Sequence, residues 1–374
     1  MKKRLLYFSH GLSANGIETF LVNVLKNIDK NKFDITVIIA IDEGVWCLHE
    51  QTVLDLGVKV IHAGDMDSVK KKFQYIKNIK KLLKNGNYDI VHSNMDLLNG
   101  ITLHYAKKAG VPKRICHAHN SKSQYKPRGA FAVLKSTAQR LYYRFMKKLM
   151  INSSTDLLAC SDVAGEYFYG DRKYTMVYNG VDLEKFRCPD NFDKSKILKE
   201  LGLRENNNHI IVTAGRLSAQ KNPLFSIEVI SELKKLRTDF QYIWAGTGEL
   251  EQDMKKKIEE LKLTDTVIMA GLRTDIPDIL NCCDCFLMTS VFEGLPFTLV
   301  EAQAAGLRCI VSDVVTKNAD AGMIEYISLN KNASQWAKLI DSALDRPLPE
   351  IDSEQMKLFD IRHTVNQLEK IYNK

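Results

Sequence analysis

No stretch of the 374-residue chain approaches 18 consecutive apolar residues, so a membrane-spanning helix of ordinary length is excluded. The opening MKKRLLYFSH has a basic cluster with only four apolar or aromatic residues behind it. That is too short for a signal peptide, and the expected location is the cytoplasm. A second cysteine cluster is also missing. Cys282, Cys283 and Cys285 stand together and the other five are scattered singly, whereas a zinc site needs four ligands at recognisable spacing. The three are expected to be core thiols, at a helix end and on a buried strand. There is no phosphate loop ending in GK[ST], no internal repeat and no low-complexity segment. Acidic residues are absent from positions 101–150, which hold 12 lysines and arginines.

What is present is an ordinary soluble composition, 45% hydrophobic and 26% charged. The length suggests two domains, each able to bury a core without disulfides or metals. The net charge of +8 is unevenly spread: residues 1–190 carry 30 basic against 18 acidic side chains, and residues 191–374 carry 23 against 27. A one-sided basic block points to an anionic partner, whether lipid headgroups, phosphates or nucleic acid.

Short apolar or β-branched runs alternate with helical periodicity along the whole chain. RLLYFSH, FDITVIIAI, KVIHAG, YDIVHSN and KRICHAHN read as strands of the first half. The pattern restarts after RCPDNFDKSK with HIIVTAGR, FQYIWAG, TVIMAG, DCFLMTS and RCIVSD. Strands alternating with helices mean βαβ units and parallel sheets. The expected fold is therefore α/β, with two Rossmann-like domains and a cleft between them. The expected boundaries are 1–187, 188–352 and a final amphipathic helix over 353–374. Ligands of such sheets bind at the carboxyl ends of the strands, where the polar residues of this chain collect.

Two stretches there carry chemistry. VTAGRLSAQKNPLFSI sets Arg216 and Lys221 in a strand-to-helix loop, where a planar fork and a point charge can neutralise a diphosphate. The alternative is a solvated basic loop. SVFEGLPFTLVEAQAAG sets Glu293 before a helix and Glu301 within it, with Gly294 and Pro296 making the turn. The N–H groups of Phe297, Thr298 and Leu299 at the helix start make an anion site. Eight residues of helix span at most about 12 Å, a separation that suits two sugars flanking a diphosphate. A carboxylate can accept from two vicinal hydroxyls. The alternative for Glu301 is a solvated helix face. His117 and His119, two apart at a strand end, point the same way; His119 is the candidate and His117 a support.

The paired glutamates, with GRLSAQKN upstream, resemble the donor site of retaining glycosyltransferases of family 4. NGIETFLVNVL, DIVHSN, RICHAHN, LACSDVAGEYF, VYNGVDLEKF, WAGTGELE and VIMAGLRTDIPDIL follow in the family's order, so the resemblance covers nearly the whole chain. It is greatest to the capsular and exopolysaccharide branch. The resemblance implies the GT-B fold, whose last helix returns to the N-terminal domain. It implies that Arg216 and Lys221 hold the donor diphosphate, and that Glu293 meets the transferred sugar and Glu301 the ribose. It assigns the amides after Pro296 to the phosphates and His119 to the reacting sugar. Gly16 would lie beside the donor phosphate, and Gly215 and Gly294 complete the donor site. Asn15 stands where the family often has a first glycine, and Arg308 where it usually has proline.

Implied with it are a UDP-sugar donor, no cofactor, no metal, and a lipid-linked saccharide acceptor at the inner face of the membrane; no nucleic acid is expected. A nucleotide-sugar epimerase of the same fold, or a non-catalytic subunit of a transferase pair, are the alternatives. Asp65-x-Asp67 in GDMDS is read as a turn rather than a metal motif. Gly246-x-Gly248 is read as a tight turn, since Glu251 stands where a dinucleotide fingerprint needs glycine. Finally, Phe131, Leu134, Ala138, Leu141 and Phe145 follow helical spacing, with Lys135, Arg140, Arg144, Lys147 and Lys148 around them. They suit a basic helix lying on anionic lipid, or a core helix with a solvated basic face.

Overall fold

The computed structural model describes residues 1–13, 16–120, 132–204 and 209–374. The chain divides into two compact units, residues 1–180 with 361–374, and residues 181–360. The first holds seven parallel strands: β1 (Lys3–Ser9), β2 (Phe33–Ile39), β3 (Lys59–His62), β4 (Ile90–Ser93), β5 (Lys113–Ala118), β6 (Asp156–Ala159) and β7 (Thr175–Met176). Their order is β3-β2-β1-β4-β5-β6-β7. The middle of β1, Leu5 to Phe8, is fully buried, as a strand covered on both faces by helices must be. Tyr7 lies beside Val37 of β2 and His92 of β4, so the sheet is in register across its centre.

The second unit holds β8 (His209–Ala214), β9 (Phe240–Ala245), β10 (Val267–Gly271), β11 (Cys285–Met288), β12 (Arg308–Ser312) and β13 (Ile324–Ile327). They are parallel, in the order β10-β9-β8-β11-β12-β13. One core joins Ile211, Tyr242, Trp244, Leu287 and Ile310 of the sheet to Trp336 and Ile340 of the helix Ala333–Leu344. Cys282, Cys283 and Cys285 are buried free thiols, at a helix end and on β11. In each sheet the strand order reverses at one point, between β1 and β4 and between β8 and β11. Crevices at such reversals are where open α/β sheets take ligands.

The tail is not one helix. Ser353–Leu358 and Ile361–Asn373 are separate, because Val181 N–H donates to the Phe359 carbonyl (2.8 Å) and residues 181 and 360 bridge in parallel. Phe359 is fully buried there. The first piece stays with the second unit, where Asp352 N–H donates to Ala321 C=O and Gln355 Nε2 to Asn318 C=O. The second piece packs on the first unit through Ile361, Val365, Leu368 and Tyr372. The Tyr372 hydroxyl meets that of Tyr7 and Nδ1 of His92, both at 2.6 Å. Residues 183–186 likewise belong with the second unit, packing on the helices Ile276–Asn281 and Phe297–Ala304. The divisions therefore fall at 180/181 and 360/361, not at 187/188 and 352/353.

Candidate active site

The candidates fall into two groups, one per unit. In the second unit, β8 ends at Ala214 and the chain turns at Gly215, whose φ of 154° a side chain rarely adopts. A Cβ on Gly246 would lie 2.1 Å from the Gly215 carbonyl oxygen, and one on Gly248 2.4 Å from that of Leu217. Trp244 Nε1 also donates to Gly215 C=O at 3.0 Å, and Leu217 N–H to Thr247 C=O at 3.0 Å. The two glycines thus do more than turn the chain: they let the loop after β9 lie flat against the loop that carries Arg216. That loop also supplies Glu249, whose carboxylate is 3.2 Å from Arg216 Nε in an exposed pair.

Lys221 reaches inward. Its Nζ lies 2.8 Å from Oε1 of Glu293, which is only 6% exposed. Gln220 Nε2 donates to the other Glu293 oxygen at 3.2 Å and to the Phe292 carbonyl at 3.1 Å, while Val291 N–H donates to Gln220 C=O. Gln220 and Lys221 therefore grip both oxygens of one carboxylate. Neither Gln220 nor Glu249 stands out in the sequence, although Gln220 lies inside the GRLSAQKN stretch. Glu301, one turn into the helix Phe297–Ala304, has its carboxyl pushed up to about 7 by burial, against the pull of Lys221. One lysine thus serves two glutamates.

The helix starts at Pro296 without a side-chain cap. Of the three amides expected to be free, Leu299 is not: its N–H donates to Pro296 C=O at 3.2 Å, in the tight geometry common in first turns. Among the described residues, the N–H groups of Phe297 and Thr298 have no protein acceptor, and the buried Thr298 Oγ1 has no partner either. Gly294 lies in the turn between Glu293 and this helix start.

In the first unit, His119 is buried just past β5. Its Nδ1 is 3.1 Å from Asn179 Oδ1 and its Nε2 3.0 Å from Asn94 Oδ1. Burial holds its pKa down to about 4, so the ring is neutral near pH 7. A neutral imidazole donates from one nitrogen only, so one of the two amides must turn its NH2 toward the ring. His117 packs against it, ring centroids 4.1 Å apart, and bonds to His92 and the Val177 carbonyl. It supports rather than reaches out. Gly16 opens the helix Gly16–Asn27 at an exposed position. Asn15 lies outside the described residues.

Asp65 is tied to Lys71 and accepts from Asp67 N–H at 3.1 Å, a turn as expected. In the helix Ala132–Ser153, Leu141 and Phe145 are 62% and 61% exposed, with Arg140, Arg144 and Lys148 exposed beside them. Its inner face is Met146 and Met150, so Leu141 and Phe145 do not serve the core. Lys147 is not a free surface cation as expected: it donates to Tyr167 C=O and covers the Tyr167 ring at 3.8 Å. Phe131, and the side chains of Leu134, Lys135 and Ala138, lie outside the described residues. A second basic helix, Val69–Gly86, exposes Val69 and Phe73 among lysines. Among the described residues no helix is long and apolar enough to cross a membrane.

Two family profiles cover this arrangement: "Glycosyltransferase Family 4" matches residues 14–185 and "Glycosyl transferases group 1" residues 193–357. The chain is 28% identical to EpsF of Bacillus subtilis strain 168, named as a glycosyltransferase, over 100% of this chain and 97% of that protein. It is 29% identical to the Escherichia coli UDP-Gal:alpha-D-GlcNAc-diphosphoundecaprenol alpha-1,3-galactosyltransferase, over 81% and 78% of the two chains. It is 28% identical to the capsular polysaccharide biosynthesis glycosyltransferase CapH of Staphylococcus aureus, over 81% of each. In fold it matches Anabaena Alr3699/HepE, solved in complex with UDP, with a TM-score of 0.80 at 18% identity over the whole of both chains.

Proposed function

The chain belongs to the GT-B glycosyltransferases of the capsular and exopolysaccharide branch, and from that premise we propose that it is a retaining, metal-independent hexosyltransferase. Its donor would be a UDP-sugar, and its acceptor a hydroxyl of an undecaprenyl-diphosphate-linked saccharide. The E. coli relative's name specifies such a pair. The observation that carries the reading is the grip of Gln220 and Lys221 on Glu293, beside Glu301 and the free amides of Phe297 and Thr298, at the reversal of the second sheet.

The roles follow from chemistry. The bond from the anomeric carbon to the diphosphate breaks, and its electron pair leaves with the nucleotide. Arg216, Lys221 and the two amides meet the charge that grows there, a form of stabilisation that often dominates. Glu293, held at both oxygens, accepts from hydroxyls of the transferred sugar. Glu301 accepts from the ribose. The acceptor oxygen bonds to the face the nucleotide leaves, and its proton passes to the departing diphosphate. Neutral His119, whose two ring nitrogens are bonded to Asn94 and Asn179, would donate to a sugar hydroxyl only in place of one of those amides. The exposed stripe Leu141 to Phe145, flanked by Arg140, Arg144 and Lys148, would rest on anionic lipid, where the acceptor is confined.

The test is incubation with UDP-glucose, UDP-galactose and their N-acetyl analogues, plus undecaprenyl-diphosphate-linked monosaccharides. Magnetic resonance of the product reads the anomeric configuration. The expected product keeps the donor's α configuration and forms equally in EDTA. A β product would end the retaining assignment. Loss in EDTA restored by manganese would end the metal-free one, and an epimerised nucleotide sugar formed without acceptor would make the chain an epimerase.

A further inference from the structure

The mechanism above leaves a set of buried polar atoms in the first unit unused. Ser9 Oγ, at the end of β1, is buried and has no hydrogen-bond partner among the described residues. Neither has Asp96 Oδ1, three residues past the end of β4. Between them, the Asn94 amide gives one polar atom to His119, and its other, Nδ2, is buried without a partner. Turning that amide over only exchanges which atom is left. All three residues sit at the reversal of the first sheet, and a buried polar atom is rarely left unmatched.

Asp96 is strained as well. Its φ is 46°, in the left-handed region that a residue with a side chain seldom adopts. The surroundings hold it there. Oδ2 accepts from Asn120 Nδ2 at 2.5 Å, the His119 and Asn120 amides face the carboxylate, and His10 lies near it. The preceding turn is fixed by Asn99 Oδ1, which accepts from Met95 N–H at 2.8 Å. Among the described residues one oxygen is secured and the other has nothing to accept from, and the residue as a whole remains partly exposed.

The missing partner must be a donor. A carboxylate only accepts, and it repels a diphosphate, which offers no donor near neutral pH. Sugar hydroxyls both donate and accept, so neighbouring hydroxyls can satisfy a carboxylate, a serine hydroxyl and either end of an amide together. We propose that Ser9, Asn94 and Asp96 form the hydroxyl-binding pocket for the acceptor saccharide, with Asp96 accepting from a hydroxyl of that sugar. This rests on the transferase reading above and gives the acceptor specific partners. Asp96 orients the acceptor; it does not take its proton, which leaves with the nucleotide.

The experiment compares wild type with Asp96→Asn and Asp96→Gly. Glycine suits the left-handed φ, so Asp96→Gly should melt no lower than wild type while lacking the carboxylate. The probes are UDP alone, UDP-sugars without acceptor, and undecaprenyl-diphosphate-linked N-acetylglucosamine, N-acetylgalactosamine and glucose. UDP should raise the melting temperature of all three proteins equally, and slow hydrolysis of the donor should be unchanged. The acceptor KM should rise by about tenfold or more in both variants, with donor KM unaltered. A wild-type acceptor KM in both variants overturns the proposal. So does a parallel fall in donor hydrolysis, which would move Asp96 to the donor side, and so does a wild type that binds UDP but none of the saccharides. No response to UDP in any protein overturns the transferase reading, and this pocket with it.

Discussion

Arg216 and Lys221 look alike in the sequence, two cations on one loop, but their surroundings separate them. Arg216 is 66% exposed and its pair with Glu249 is open to solvent, so Arg216→Ala should change stability by no more than about 0.5 kcal/mol. Lys221→Ala leaves the buried Glu293 without its cation and should cost about 3 kcal/mol, seen in urea unfolding. Both should lower turnover about 100-fold or more if they meet the leaving diphosphate. A Lys221→Ala protein of wild-type stability would show that the pair is not formed in solution. Glu301 makes a second prediction. With its carboxyl near pH 7, it is half protonated at neutrality and a poorer acceptor below it. UDP affinity should then weaken by up to roughly tenfold per pH unit as pH falls below about 7, and Glu301→Gln should flatten that dependence relative to wild type. Titration calorimetry from pH 5.5 to 8 checks it; parallel profiles for the two proteins would refute the ribose contact. Charge and spacing make Arg216, Lys221, Glu293 and Glu301 legible in the sequence. Gln220, Asn94 and Asn179 are not, because neutral amides leave no mark of spacing or charge, and the left-handed turn at Asp96 has no residue signature at all.

Elements are legible where burial on both faces forces a long β-branched or apolar run, as in β1, β2, β8 and β9. They are not where the strand is short: β6 follows the helix Ala132–Ser153 after two residues, β7 has two residues, and β13 is a partly exposed edge strand carrying Glu325. The break at Phe359–Asp360 is hidden because the amphipathic pattern continues across it. The same helix, Ala132–Ser153, tests the membrane reading. Reversing Arg140, Arg144 and Lys148 to glutamate should abolish binding to phosphatidylglycerol vesicles at low salt and leave UDP affinity intact. Three cations near an anionic surface contribute about 3 kcal/mol together, enough for a clear shift in sedimentation. Lys147 should be left alone, since its bond to the Tyr167 carbonyl is internal. Wild-type protein that ignores such vesicles at low salt would make the stripe a solvated face.

For the whole molecule, the two units should answer acid in opposite senses. In the first, burial depresses His92 to about 3 and His119 to about 4, and His117 well below its usual value. Groups whose folded pKa is lowered from 6.5 contribute stability fully above pH 6.5 and lose it as pH falls toward 4. In the second, Glu301 is raised from 4.5 to about 7, so its contribution is full below pH 4.5 and is lost as pH rises through 7. From pH 7 to 5 these groups therefore weaken the first unit and strengthen the second. Hydrogen exchange resolved by peptide should show protection falling in the strands of residues 1–180 before those of 209–327. Simultaneous loss would mean that the buried histidines are not the acid-sensitive element. The same histidines bind the first unit to its last helix, since His92 bonds Tyr372.

That helix also comes after the whole of the second unit in the chain. Residues 181–360 form an uninterrupted unit, but the first unit is completed only by residues 361–374. Translation therefore finishes the second unit while the first still lacks the helix that covers Phe33 and supplies a partner for Tyr7 and His92. Domains commonly mature in the order in which they leave the ribosome. Here the order is inverted: the earlier unit waits for residues 361–374, with an apolar face open to chaperones or to aggregation for the whole time the later one takes to emerge.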